Sequence, residues 1–175
     1  MSAAMMDWLA PWYAQIKFLH VIMVGIWAFS TAVAYQNYVI PAFRRALANP
    51  GDAEAIDQRN RAIEAFDKGV VLEHVAFPGV LLTGLLLLWL GQWSIMETWW
   101  LAAKLALVVL IFIPMEIVDY RISHFSTPKR ELRLAGEVAQ LEEAIAFHWK
   151  FLRISTFFVV TTIPAAIYLA IVKPG

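Results

Sequence analysis

Few side chains in this 175-residue sequence suit acid–base, ligand or redox chemistry, and most of those stand in apolar surroundings. The chain has four His and no Cys. His20 lies in Lys17–Tyr38, KFLHVIMVGIWAFSTAVAYQNY, where Phe18–Tyr35 is almost unbroken hydrocarbon. An ionisable group in such a run is costly to hold in a membrane and marks a functional position by default. Two readings are open for it. The imidazole is either satisfied by a neighbouring hydroxyl or backbone group, or it is an axial ligand to haem iron. Lys104, near the start of another apolar run, either snorkels to the headgroups or meets a propionate or an anionic substrate. The remaining candidates are Glu73, His74, Glu116, Asp119 and His148. Carboxylates and imidazoles together hold divalent metal or relay protons. They also form plain salt-bridged interfaces, here with Arg121, Lys150 and Arg153 as the nearby cations. No Glu-x-x-His pair occurs, so the di-iron carboxylate pattern is absent. The lack of Cys excludes disulfides, thiolate catalysis and Cys-ligated zinc or iron–sulfur clusters. His124 is expected in solvent.

The elements that must position these groups are membrane helices. The chain is 61% hydrophobic and 16% charged, against roughly 45–50% and about 25% for a soluble domain. Mean hydropathy is +0.63. Eight Trp suit interfacial belts. Net charge is zero, which provides no field for nucleic acid. Hydrophobic runs predict four spans at about 16–39, 70–90, 99–120 and 148–172, long enough for a bilayer at about 20 residues each. The fold expected is all-α: one integral-membrane four-helix domain with helices extended into the cytoplasm. Met1–Gln15 reads as a leader with an interfacial aromatic segment at Asp7-Trp8 and Pro11-Trp12-Tyr13. Ala32-Val33-Ala34 resembles a signal-peptidase site. However, the leader has no Lys or Arg and the apolar run exceeds a normal signal core, so helix 1 is read as retained. Pro41 predicts a bend. Asn49-Pro50-Gly51-Asp52 predicts a turn and a helix cap. Charged, amphipathic helices are expected from Ala53 into span 2 and over Glu131–Ala146 into span 4, with Arg121–Arg133 as a connector. Pro78 is expected to kink span 2, and Gly84 to allow a close helix contact.

Lys and Arg orient the bundle. The helix 1–2 connection carries Arg44, Arg45, Arg59, Arg61 and Lys68, and the helix 3–4 connection carries Arg121, Lys129, Arg130, Arg133 and Lys150. The helix 2–3 loop has none. Both long connections are therefore expected in the cytoplasm and both termini outside. This places His20 and Lys104 in an outer layer. Glu73, His74, Glu116, Asp119 and His148 fall in an inner layer, with Gln36 and Asn37. At about 1.5 Å per residue, His20 and His74 differ in depth by on the order of 20 Å, so they are poor partners for one iron. Trp27, two turns beyond His20 on the same face, could pack on a cofactor ring.

Several short motifs, taken in order, resemble the HemJ-type protoporphyrinogen IX oxidases. They are Lys17-x-x-His20 with Trp27, Pro41-x-x-Arg44, Pro78-Gly79, Thr83-Gly84, Trp100-Leu101-x-x-Lys104-Leu105, Pro164 and Val172-Lys173-Pro174. Related small four-span families, including copper-resistance D-like proteins, share much of this pattern. The resemblance implies a haem b protein of the bacterial inner membrane. Such an enzyme takes electrons from protoporphyrinogen IX, giving protoporphyrin IX, and passes them to quinone. His20 would match the family's haem-ligand histidine, and Lys104 its helix 3 lysine. Glu73, His74 or Glu116 would accept the protons released. This chain has Met115-Glu116 where helix 3 of that family often has histidine, and Glu73-His74 lies outside the pattern. His74 and His148 are the other metal-ligand candidates. The competing readings are a haem- or copper-handling carrier and a structural subunit of a membrane complex. Partners expected are lipid, a quinone or porphyrinogen, and a second copy in a homodimer.

Overall fold

The computed structural model describes residues 8–174. Asp7, read above as interfacial with Trp8, and the terminal Gly175 lie outside the described residues. Four long helices carry the chain: α1 (Ala10–Ala48), α2 (Ala53–Leu90), α3 (99–125) and α4 (Val138–Val172). Each is long and apolar enough to cross a membrane. No strand occurs among the described residues. At about 1.5 Å per residue α1, α2 and α4 each exceed 50 Å and α3 spans about 40 Å, against a hydrocarbon layer of about 30 Å. Part of every helix therefore projects beyond the apolar layer. The projecting parts share one end of the bundle, called here the charged end. The helix 2–3 loop, the start of α1 and the end of α4 mark the opposite, terminal end.

Local chemistry sets the helix ends. Gly51 takes φ +93°, a left-handed conformation that glycine adopts freely. It delivers Asp52, whose carboxylate accepts from the N–H of Glu54 at 2.9 Å and of Ala55 at 3.4 Å. This is the expected cap of α2. Between α3 and α4 the structure departs from expectation. Ser126 is extended (φ −84°, ψ 156°), Lys129–Ala135 forms a separate short helix, and Gly136 at φ +74° ends it. The amphipathic stretch Glu131–Ala146 is therefore two pieces at an angle. The apolar spacing runs across Gly136 and hides the break.

Proline is accommodated inside two of the helices. Pro41 does not end α1, which continues to Ala48. The helix instead widens to a π turn over Tyr35–Val39, two residues before Pro41. α3 does the same over Val108–Phe112, two residues before Pro114. A proline ring clashes with the carbonyl four residues back and supplies no N–H to it. One extra residue in the preceding turn relieves both problems.

α1 and α2 make the closest helix pair. A methyl group at Gly79 would stand 3.2 Å from Met23 Sδ, and one at Gly84 would stand 3.3 Å from His20 Cε1. These two glycines let the helices meet. Trp27, Phe77, Phe112 and Ile163 form the core of the apolar half. Tyr35, Phe43, Ile63, Phe66, Ile145 and Leu152 belong to the core of the charged half.

Candidate functional site

In the apolar half, towards the terminal end, His20 Nδ1 lies 2.9 Å from Thr83 Oγ1. Thr83 is buried and its hydroxyl donates back to the Gly79 carbonyl at 2.6 Å. A hydroxyl has one proton. With that proton on Gly79, Thr83 accepts from His20 Nδ1–H. The neutral ring then carries its lone pair on Nε2, and the Val80 backbone is the other hydrogen-bonding group beside the ring. Lys104 is half-buried, and its charge acts on the His20 ring. Among the described residues its ammonium has no hydrogen bond or ion pair. These two groups, placed in one layer by the sequence, thus stand within electrostatic reach of each other. Trp27 does not join them. Its indole N–H donates to Glu116 Oε1 at 2.7 Å. Its ring packs on Phe77 and Phe112 at centroid distances of 5.3 and 4.9 Å.

The second group lies deeper toward the charged end. Glu73, Glu116 and Asp119 line a cavity of about 140 Å³ among all four helices. Glu73 Oε2 accepts a hydrogen bond from the Thr31 hydroxyl. Asp119 Oδ2 stands 3.1 Å from His74 Nε2, and His74 Nδ1 stands 2.7 Å from His124 Nε2. His148 is fully buried, with Nδ1 3.2 Å from Asp67 Oδ1 and Nε2 3.9 Å from Asp119 Oδ1. Asp67 in turn pairs with Lys129 Nζ at 2.8 Å, and that lysine is only 4% exposed. The five residues expected to converge from three helices do so. They extend into a longer row: Lys129, Asp67, His148, Asp119, His74, His124.

Several partners differ from those expected. Arg121, Lys150 and Arg153 are exposed and form no ion pair among the described residues. The cation that reaches the interior is Lys129, from a connector with no helical signal. Glu73 and Glu116 are each held by an uncharged donor on α1. Gln36 and Asn37 stay exposed, with Asn37 Nδ2 bonded to the Val33 carbonyl at 3.0 Å. His124 is exposed as expected but also hydrogen-bonded to His74. Among the described residues no three His, Asp or Glu side chains converge on a metal position. Both nitrogens of His74 and both of His148 face protein atoms. Sequence reasoning passed over Asp67, Thr31, Thr83 and Lys129. Asp67 had a usable signal: it precedes His74 by seven residues, two helical turns on one face. Thr83 stood in the Thr83-Gly84 motif, while Thr31 and Lys129 had no signal beyond their residue type.

No family model, curated protein or solved structure matches the chain.

Proposed function

We propose that this chain is a haem b oxidoreductase of a bacterial cytoplasmic membrane, oxidising a porphyrinogen-type donor with quinone as the acceptor. The observation that carries the reading is the hydrogen bond that puts the His20 proton on Nδ1 and leaves Nε2 as the basic nitrogen. Ligand histidines are characteristically oriented by such a bond from the other ring nitrogen. The donor chemistry fits haem: an oriented imidazole for iron and, in Lys104, an ammonium without a carboxylate partner among the described residues for a propionate. Bound haem would supply one-electron transfer, which side chains cannot. The chain's own residues do the rest. Thr83 holds the ring tautomer, and Lys104 balances negative charge on the cofactor or substrate. Glu73 and Glu116 take up protons released as the donor is oxidised, at the cavity they line. The excess of Lys and Arg at the charged end supports a cytoplasmic location for that end.

The visible spectrum of the purified protein tests the reading. A Soret band is expected in the wild type and is lost in His20→Ala. Colourless protein with no extractable haem overturns it. Rescue of a bacterial strain lacking protoporphyrinogen oxidase then separates the porphyrin enzyme from other haem proteins, including haem or copper carriers. One observation favours a structural subunit instead. Glu73 and Glu116 are both bonded across to α1, as interhelical polar contacts in membranes are. That reading expects no haem and no effect of His20→Ala beyond stability.

A further inference from the structure

We propose that Asp119, His74 and His124 form a proton path between the acid-lined cavity and the solvent at the charged end. The path rests on the haem reading only for the source of its protons. Three facts carry it. Asp119 is buried and lines the cavity beside Glu73 and Glu116. From there the row is continuous at hydrogen-bond distance, 3.1 Å to His74 and 2.7 Å on to His124. His124 is exposed, so the row ends in water.

The chemistry of the row suits transfer in a way that an ion pair does not. A carboxylate takes up or gives up a proton, and each imidazole accepts on one nitrogen while releasing from the other. One proton taken up by Asp119 is matched by one released from His124. The proton on Asp119 passes to His74 Nε2, the His74 Nδ1 proton passes to His124 Nε2, and the far nitrogen of His124 gives its own to water. Each ring returns to its first tautomer before the next passage. A lysine or arginine in place of either histidine would end the row, since neither accepts a proton in its charged form. Asp119 bonds to His74 through one oxygen only. Its other oxygen has no hydrogen-bond partner among the described residues and faces His148 Nε2 at 3.9 Å. The nearest interior cation, Lys129, is committed to Asp67. Tyr120 packs on both rings, at centroid distances of 5.0 Å from His74 and 4.7 Å from His124, and holds them together.

The test uses the full-length protein in lipid nanodiscs. Infrared absorption of the cavity carboxyls is followed after an acid jump, with bands assigned by Glu73→Gln, Glu116→Gln and Asp119→Asn. The wild type is expected to protonate quickly. His124→Ala, at an exposed position, is expected to slow protonation by about a hundredfold. Added imidazole should restore the rate, because it can stand where the ring was. His74→Asn should show the same slowing without rescue, since that site is closed to solvent. Protonation as fast in His124→Ala as in the wild type overturns the path. So does slowing that imidazole does not relieve. The measurement needs no haem. Colourless protein with a fast, His124-dependent rate drops the haem reading and keeps the path. Haem-replete protein with a His124-independent rate does the reverse.

Discussion

Thr83 has one proton and gives it to the Gly79 carbonyl, so the state of His20 follows from a bond that His20 does not make. Replacing the hydroxyl by a methyl group of the same shape isolates this effect. In Thr83→Val the helix is unchanged and Nδ1–H loses its acceptor. Haem affinity, read from Soret absorbance as the apoprotein is titrated, is expected to fall about 10–100-fold. Thr83→Ser should keep most of it. Equal affinity in Thr83→Val would show that the hydroxyl does not orient a ligand. At this scale the sequence was informative about His20, because a lone imidazole in a hydrocarbon run has few reasons to be there. It was uninformative about Thr83, a residue that membrane helices tolerate with its hydroxyl bonded to its own backbone.

Pro41, expected to bend the chain, and Pro114 each follow a π turn that ends two residues before them. α1 thus continues past Pro41, and the ring of Phe43 stacks on Trp149 of α4 at 4.1 Å. The short helix Lys129–Ala135 folds back because Gly136 turns the chain, and this brings two basic residues onto α2. Arg133 makes a forked pair with Glu64 at 2.6 and 3.0 Å, and Lys129 reaches Asp67. The lysine pair is the more consequential, since its ammonium is almost wholly buried. Lys129→Met removes the cation and leaves Asp67 facing His148 without it. Breaking one partner of a buried pair costs about 3–5 kcal/mol, so the midpoint of thermal unfolding in detergent should fall clearly. Adding Asp67→Asn to Lys129→Met should recover most of the loss. A single variant as stable as the wild type would mean that water already screens the pair.

Across the whole molecule, the four helices form an apolar belt at one end and a charged, partly aqueous bundle at the other. The absence of Cys makes topology directly measurable. Ser94→Cys lies in the helix 2–3 loop, and Asn49→Cys lies at the helix 1–2 turn. A membrane-impermeant thiol reagent added to intact cells is expected to label the first only, and both after permeabilisation. The reverse pattern would invert the orientation and place the outlet of the proposed proton path outside the cell. At the terminal end Lys173 lies over Trp93 and Trp100, 4.7 and 5.5 Å from their ring centroids. This joins the end of α4 to the loop that Ser94 probes.

The number of helices, their approximate spans and the clustering of polar residues by depth were all present in the sequence. They depend on local hydropathy and on the fixed rise of a helix, and neither needs a partner to act. The size of the His20–His74 separation was less legible: His20 bonds to Thr83, nine residues or about 13 Å along α2 from His74. Tertiary structure decided what each polar group touches. The one-proton limit at Thr83, the indole on Glu116, the buried Lys129 and the continuity from Asp119 to His124 all cross between helices. They depend on rotation about each helix axis and on the turn at Gly136. A shift of one residue turns a side chain by about 100° on a helix of 3.6 residues per turn. Hydropathy constrains that angle weakly when lipid and protein interior are equally apolar. Packing at Gly79 and Gly84 supplies the missing constraint, and with it the contacts on which the function proposed here depends.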